Sequence, residues 1–267
     1  MAADPAPKTQ QQPVSDSDER RSWVATTSQS SLEVGYEAAT QGAGLIDRSC
    51  IGRIRIVGEG GLDLLDRLST NKLADLTNTG QGAYTVLTSS KGRILDLLFL
   101  LIQNDHLLLF TSPQNRSKVI EWIDFYTFTE ELDVSDITEQ TAMLGLVGPE
   151  APGLIGEVTG APLNMRSLSP HQSTPAEVNG VKILVVRSDF VGLPGYDLVV
   201  TSSQAQQLWD DLIDKGAEWG LRLIGTDALE AVRIEQGVPV YGRELGEDRN
   251  PLEANLRSYI SFNKGCY

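Results

Sequence analysis

From about Leu32 onward the apolar positions of the chain recur in two rhythms. In "GRIRIVGEG", Ile54 and Ile56 alternate with Arg53 and Arg55, the period-2 pattern of a half-buried strand. "GLDLLDRLS" follows with Leu62, Leu65 and Leu68 on one helical stripe. Tyr84 to Leu87 and Ile94 to Ile102 read as a hairpin, turning at "SSKGR" with Gly92 as the permissive residue. "HLLLFT" predicts a further strand, then a helix from Pro113 to Phe128 that buries Val119, Trp122, Ile123 and Tyr126. After "GPEAP" a second set begins. Strands at "VKILVVR" and "YDLVV" lead to a helix with Ala205, Leu208, Trp209 and Leu212 inward and Gly216 at its C-cap. A later helix starts near Asp227, with Glu230 placed as in a capping box. Cys50, beside Ile51 at a strand edge, reads as plain core. Strands and helices intermingle and the strand pairs are hairpin-linked. The expected class is α+β with antiparallel sheets rather than a parallel nucleotide-binding fold.

Charge narrows the partners. A net charge of −14 over 267 residues opposes binding to a phosphate backbone, and no local basic patch offsets it, so no nucleic-acid partner is expected. The longest apolar run, "ILDLLFLLI", is broken by Asp96 and too short to cross a membrane, so no membrane partner is expected. Two cysteines, Cys50 and Cys266, exclude a disulfide framework and suit a reducing compartment. His106 and His171 have no Cys or His at ligand spacing, so no metal site is expected. Residues 1–31 are rich in Pro, Gln, Ser and charge and read as disorder. They lack the apolar core of a secretory signal and are too acidic for an ordinary transit peptide. A cytoplasmic location is the expectation, with a mitochondrion or plastid after trimming as the alternative.

No P-loop, no G-x-G-x-x-G opening a helix and no G-x-S-x-G elbow is present. What remains is a dispersed, ordered set: "GLIDRSCIGRIRIVGEGGLDLLDRLSTNKL", "GQGAYTVLTSSKGRILDLL", "LGLVGPEA" and "RIEQGVPVYGRELGEDRNPLEANL". This set resembles the folate-binding unit of the glycine-cleavage T-protein (aminomethyltransferase) superfamily over residues 32–267. The ending "NKGCY" resembles the K-G-C-[FY]-x-G-Q-E signature of the YgfZ branch, folate-binding proteins implicated in iron–sulfur protein assembly and repair. In that branch the signature continues into a small C-terminal β-barrel. The expectation is therefore a chain truncated inside the motif, with the barrel missing. The resemblance implies two intertwined α+β lobes, roughly 32–140 and 141–267, around a central folate-binding opening.

The resemblance also assigns residues. Asp96 in "GRILD" matches the aspartate near the reactive nitrogen of tetrahydrofolate. A carboxylate in an apolar strand should have a raised pKa and could relay a proton; periodicity alone favours the wet face of an edge strand for Asp96. T-proteins usually carry Gly-Gly and Asp-Asp around this site, where this chain has Gly92-Arg93 and Asp96-Leu97. Arg233 matches the family arginine that meets folate, and its other reading is a surface ion pair with Glu230 or Glu235. Asp197 aligns with the acidic residue that accepts the pterin N–H groups, where the family usually has Glu. Tyr84 lines the pocket or packs in the core; Tyr196 and Tyr241 read as core residues flanking the site. Cys266, with Lys264 two residues back, is a candidate reactive thiolate or a small buried hydrophobe. One thiol cannot hold a cluster alone.

Two functions follow from the resemblance. The first is a tetrahydrofolate-binding accessory protein for iron–sulfur proteins or their assembly factors, favoured by the Cys266 motif and the missing second aspartate. The alternative is a folate-dependent aminomethyltransferase in which Asp96 manages a proton as N5 of tetrahydrofolate attacks the carbon unit. Both take tetrahydrofolate or a one-carbon derivative as cofactor, and they differ on whether the protein is an enzyme.

Overall fold

A computed structural model describes residues 31–161, 165 and 167–264. The N-terminal stretch expected to be disordered lies outside the described residues except for Ser31, and Cys266 lies outside them too. In chain order the elements begin with α1 (Leu32–Gln41), β1 (Gly44–Asp47), β2 (Gly52–Val57) and α2 (Gly61–Leu68). Next come β3 (Gly82–Thr88), β4 (Ile94–Ile102), β5 (Leu107–Thr111), α3 (Arg116–Tyr126) and β6 (Asp133–Asp136). The second half adds β7 (Thr141–Val147), α4 (Ala151–Val158), β8 (Ser173–Val178), β9 (Val181–Arg187) and β10 (Gly195–Thr201). It finishes with α5 (Ala205–Gly216), β11 (Arg222–Leu223) and α6 (Thr226–Glu235). The fold is α+β, as the patterning predicts.

Two units divide the chain, each assembled from separated segments. One takes Ile51–Thr138 and the residues from Pro239 on; the other takes the described residues through Cys50 and Glu139–Val238. The chain crosses between them after Cys50, Thr138 and Val238.

The unit built on Ile51–Thr138 holds a five-stranded sheet in the order β3-β4-β5-β2-β6, paired antiparallel throughout. Leu87, Leu98, Leu100 and Leu109 cluster with Leu64 and Leu65 of α2 and Val119, Trp122 and Ile123 of α3. Burying such side chains contributes about 1.5–3 kcal/mol each. Val86, Ile94 and partly buried Leu97 pack instead with Leu245 and Leu256 of the C-terminal segment. The hairpin turn forms where expected, with Gly92 at φ +69°. Arg53 departs from the half-buried expectation. Its side chain is fully buried, because its guanidinium donates to the carbonyls of Ile51 (2.5 Å) and Thr138 (2.6 Å). Capturing two backbone acceptors lets a charge occupy an interior strand position.

The other unit holds a six-stranded sheet in the order β11-β1-β7-β10-β9-β8. The pairing is antiparallel except for β1 with β11. Adjacent residues of each strand serve opposite faces. Leu45, Leu144, Leu146 and Leu198 meet α4 and Trp209 of α5, while Ile46 and Val147 meet Ala38 of α1 and Val232 of α6. Two cap expectations fail here. Gly216 is the last residue of α5 with ordinary helical dihedrals; a Cβ there would come 2.3 Å from Leu221, so packing explains the glycine. Helix α6 is capped by Gly225 with no side-chain bond, and Glu230 turns to Arg233 instead. Cys50 is exposed rather than core, since β1 ends at Asp47 and the cysteine falls in the turn beyond it.

Candidate functional site

Asp96 sits in β4, an interior strand of its sheet, where a register shift on the paired strand falls between Leu87 and Thr88. It is fully buried, which rules out the wet face of an edge strand. Both carboxylate oxygens are saturated. Oδ2 accepts from the Thr111 hydroxyl and from the Ser112 backbone N–H at 2.9 Å. Oδ1 accepts from the Ser112 hydroxyl at 2.6 Å and the Leu97 N–H at 2.9 Å. The donors come from the end of β5 and the turn into α3, where Asn115 also ties its side-chain amide to the Leu95 carbonyl at 3.0 Å. Burial pushes the Asp96 pKa above the ordinary carboxylate value, opposed by bonds from Ser112, Thr111 and Asn115. Among the described residues the carboxylate is held by these neutral donors and makes no ion pair.

Tyr84 does not meet Asp96. Cross-strand partners share a face; Asp96 stands opposite Leu87, and Tyr84, three residues from Leu87, stands opposite Phe99. Its half-buried ring joins an aromatic cluster, 4.6 Å from Phe99 and 5.4 Å from Tyr259, with Phe110 a further 5.8 Å from Phe99. Tyr241 holds its carbonyl to the Gln114 amide at 2.9 Å. Burial raises its pKa, and Asp96 is among the charges that act on it.

Asp197 lies in β10, between β7 and β9, and is 1% exposed. One oxygen accepts from Arg48 Nε at 2.7 Å. The Arg48 guanidinium lies over the Phe190 ring, 3.9 Å from its centroid. Arg233 is also buried, 5% exposed, so the surface reading fails although its partner was foreseen. Glu230 takes both Nε (2.6 Å) and Nη2, and the Val238 carbonyl takes Nη1 at 3.1 Å. Tyr196 is core: fully buried, its hydroxyl on the Met165 carbonyl at 3.2 Å. The structure thus brings Asp197 and Arg233 into one unit and Asp96 and Tyr84 into the other.

The Lys264 side chain is 4% exposed, and its ammonium reaches the carbonyls of Asp66, Ser69 (2.9 Å) and Asn71 (2.7 Å) and the Asp66 carboxylate (3.3 Å). Among the described residues no cluster of His, Cys, Asp and Glu could hold a metal ion, and no helix is long and apolar enough to cross a membrane.

Sequence reasoning missed Arg48, Phe190, Thr111, Ser112 and Asn115. The "TSPQN" string, Ser and Thr at a strand end before a helix, carries a signal for the Asp96 donors. Arg48 and Asp197 are 149 residues apart, beyond any periodicity.

Comparison with known proteins places these features. The chain is 30% identical over 246 residues to an aminomethyltransferase of Caldanaerobacter subterraneus subsp. tengcongensis, covering 92% of this chain and 65% of that protein. An aminomethyltransferase of Geobacillus sp. (strain WCH70) is 30% identical over 243 residues, with 91% and 66% covered. The chain thus spans about two thirds of the length of these relatives. Among solved structures, the glycine cleavage system aminomethyltransferase T of Bartonella henselae superposes with a TM-score of 0.75 at 22% identity, covering 87% of this chain and 61% of that one. The heterotetrameric sarcosine oxidase of Corynebacterium sp. U-96 gives a TM-score of 0.54 at 16% identity, covering 75% and 96%. Both share the fold. None of these relatives singles out the YgfZ branch. The family described as the GCVT N-terminal domain matches residues 12–264, and the chain belongs to it, within the T-protein (aminomethyltransferase) superfamily.

Proposed function

We propose that this chain binds a reduced folate and serves one-carbon transfer of the aminomethyltransferase type. The observation that carries the reading is the family membership over residues 12–264, with relatives that are themselves named aminomethyltransferases. Asp96 supports it chemically. A buried carboxylate whose pKa burial raises takes up a proton more readily than an exposed one. The Ser112 hydroxyl, half-buried and 2.6 Å from Oδ1, is the link through which it would exchange that proton with a bound ligand. Asp197 supplies the fixed acceptor for the pterin N–H edge. The iron–sulfur accessory reading rests on "NKGCY", of which the structure describes Asn263 and Lys264, the lysine bonded to the carbonyls of Ser69 and Asn71.

The test is formation of methylene-tetrahydrofolate from an aminomethylated carrier protein. The reading expects turnover that falls ~10²–10⁴-fold in Asp96→Asn, the range for losing a positioned acid–base group, with folate still bound. Saturable folate binding without turnover would favour the accessory role, and absence of folate binding would contradict both.

A further inference from the structure

We infer that Arg48 reads the ligand together with Asp197, so that the pair recognises an edge carrying an N–H beside a C=O. The inference rests on the folate reading above and goes beyond it in naming a second reader and the edge it selects.

The pair is built across three neighbouring strands. Ile46 of β1, Gly145 of β7 and Asp197 of β10 stand opposite one another in register. Arg48 follows β1 directly, its backbone N–H bonded to the Met143 carbonyl at 2.9 Å, which holds the residue beside β7. Its side chain crosses Gly145. A Cβ there would come within 2.6 Å of Arg48 Cδ and 3.0 Å of Phe190 Cζ, so this glycine is what allows arginine and ring to lie close over the strand. The Phe190 face and the 2.7 Å bond to Asp197 then orient the guanidinium from two directions.

Both members keep unused capacity. Among the described residues the Nη atoms of Arg48 make no hydrogen bond, and the second oxygen of Asp197 accepts none. The Arg48 side chain is 17% exposed against 1% for that of Asp197, so the arginine is the outward member of the pair. With one carboxylate oxygen already on Nε, the aspartate has one acceptor to offer a ligand, and the arginine offers donors next to it. A carboxylate alone selects two adjacent donors. This pair selects one donor and one acceptor, the lactam edge of a 2-amino-4-oxopteridine. Replacing the 4-oxo group by an amino group sets N–H against the Arg48 donors and removes the ring N3 hydrogen, which leaves a lone pair facing the Asp197 oxygen.

The experiment is calorimetric binding of tetrahydrofolate and its 4-amino-4-deoxy counterpart to wild type, Arg48→Gln and Arg48→Lys. Wild type should prefer the 4-oxo ligand at least tenfold. Gln, whose amide can donate or accept, should lower the ratio several-fold and leave the part that Asp197 supplies. Lys, which keeps a cationic donor, should retain most of it. A purely structural Arg48 would change both affinities together and leave the ratio alone, which overturns the inference. So does a wild type with no preference, whatever the variants do. A wild type that binds neither ligand overturns the folate reading, and the inference with it.

Discussion

Each unit buries one aspartate in an interior strand, and the two are satisfied in opposite ways. Asp96 is ringed by neutral donors, two hydroxyls and two backbone N–H groups, with burial pushing its pKa upward. Asp197 has a cation instead, one Arg48 nitrogen at 2.7 Å backed by an aromatic face. Neutral donors fix a carboxylate's direction without a compensating charge; a guanidinium adds a charge-assisted bond. The first arrangement suits a group that must move a proton. The second suits a group that must hold a ligand edge still.

The sharpest way to break this comparison is to remove the cation. Arg48→Leu leaves the Asp197 charge buried without its partner and should cost about 3–5 kcal/mol in urea denaturation. A loss below ~1 kcal/mol would mean the pair is peripheral. Asp96→Asn should cost less, about 1–3 kcal/mol. The amide keeps one acceptor but turns its NH₂ toward groups that are themselves donors.

Titration sharpens the contrast further. With its folded pKa above the unfolded value, Asp96 holds more protons in the native state than in the unfolded one. Its contribution is fully present below about pH 3.8 and is lost as pH rises through the folded pKa. Glu130 runs the other way. Backbone N–H groups of residues 128–130 hold its pKa at about 2, so its stabilisation is present above pH 4.5 and lost as pH falls toward 2. Stability profiles of Asp96→Asn and Glu130→Gln should therefore differ from wild type with opposite slopes in acid. Parallel profiles would refute the Asp96 assignment. Tyr84→Leu removes ring contacts with Phe99 and Tyr259 worth about 0.5–1.5 kcal/mol each, an effect no larger than that of Asp96→Asn and without its pH dependence.

Local patterning was legible and long-range chemistry was not. The alternation in "GRIRIV", the hairpin around Gly92 and the inward faces of α3 and α5 follow from spacing alone, because burial on one side leaves a periodic trace. Arg53 broke its pattern because its acceptors include a carbonyl 85 residues away. Strand β7, "TAMLGLV", lacks a clean signal because Gly145 interrupts it, and that glycine answers to Arg48 and Phe190 rather than to its own strand. Helix α4 hides in the same way: Gly153 reads as a breaker, yet a Cβ there would come 2.2 Å from Trp219. Of the candidate site, Asp96, Asp197 and Arg233 emerged through motif resemblance. Their partners did not, since hydrogen bonds between distant strands carry no period.

The most direct test of the account is equilibrium binding of 5-formyltetrahydrofolate to this chain and to Asp197→Asn, followed by calorimetry. Saturable binding to the wild type that weakens at least tenfold in the variant is the predicted result. Binding of equal strength to both would contradict the assignment of Asp197 as the pterin acceptor, and no binding to the wild type would contradict the folate reading itself.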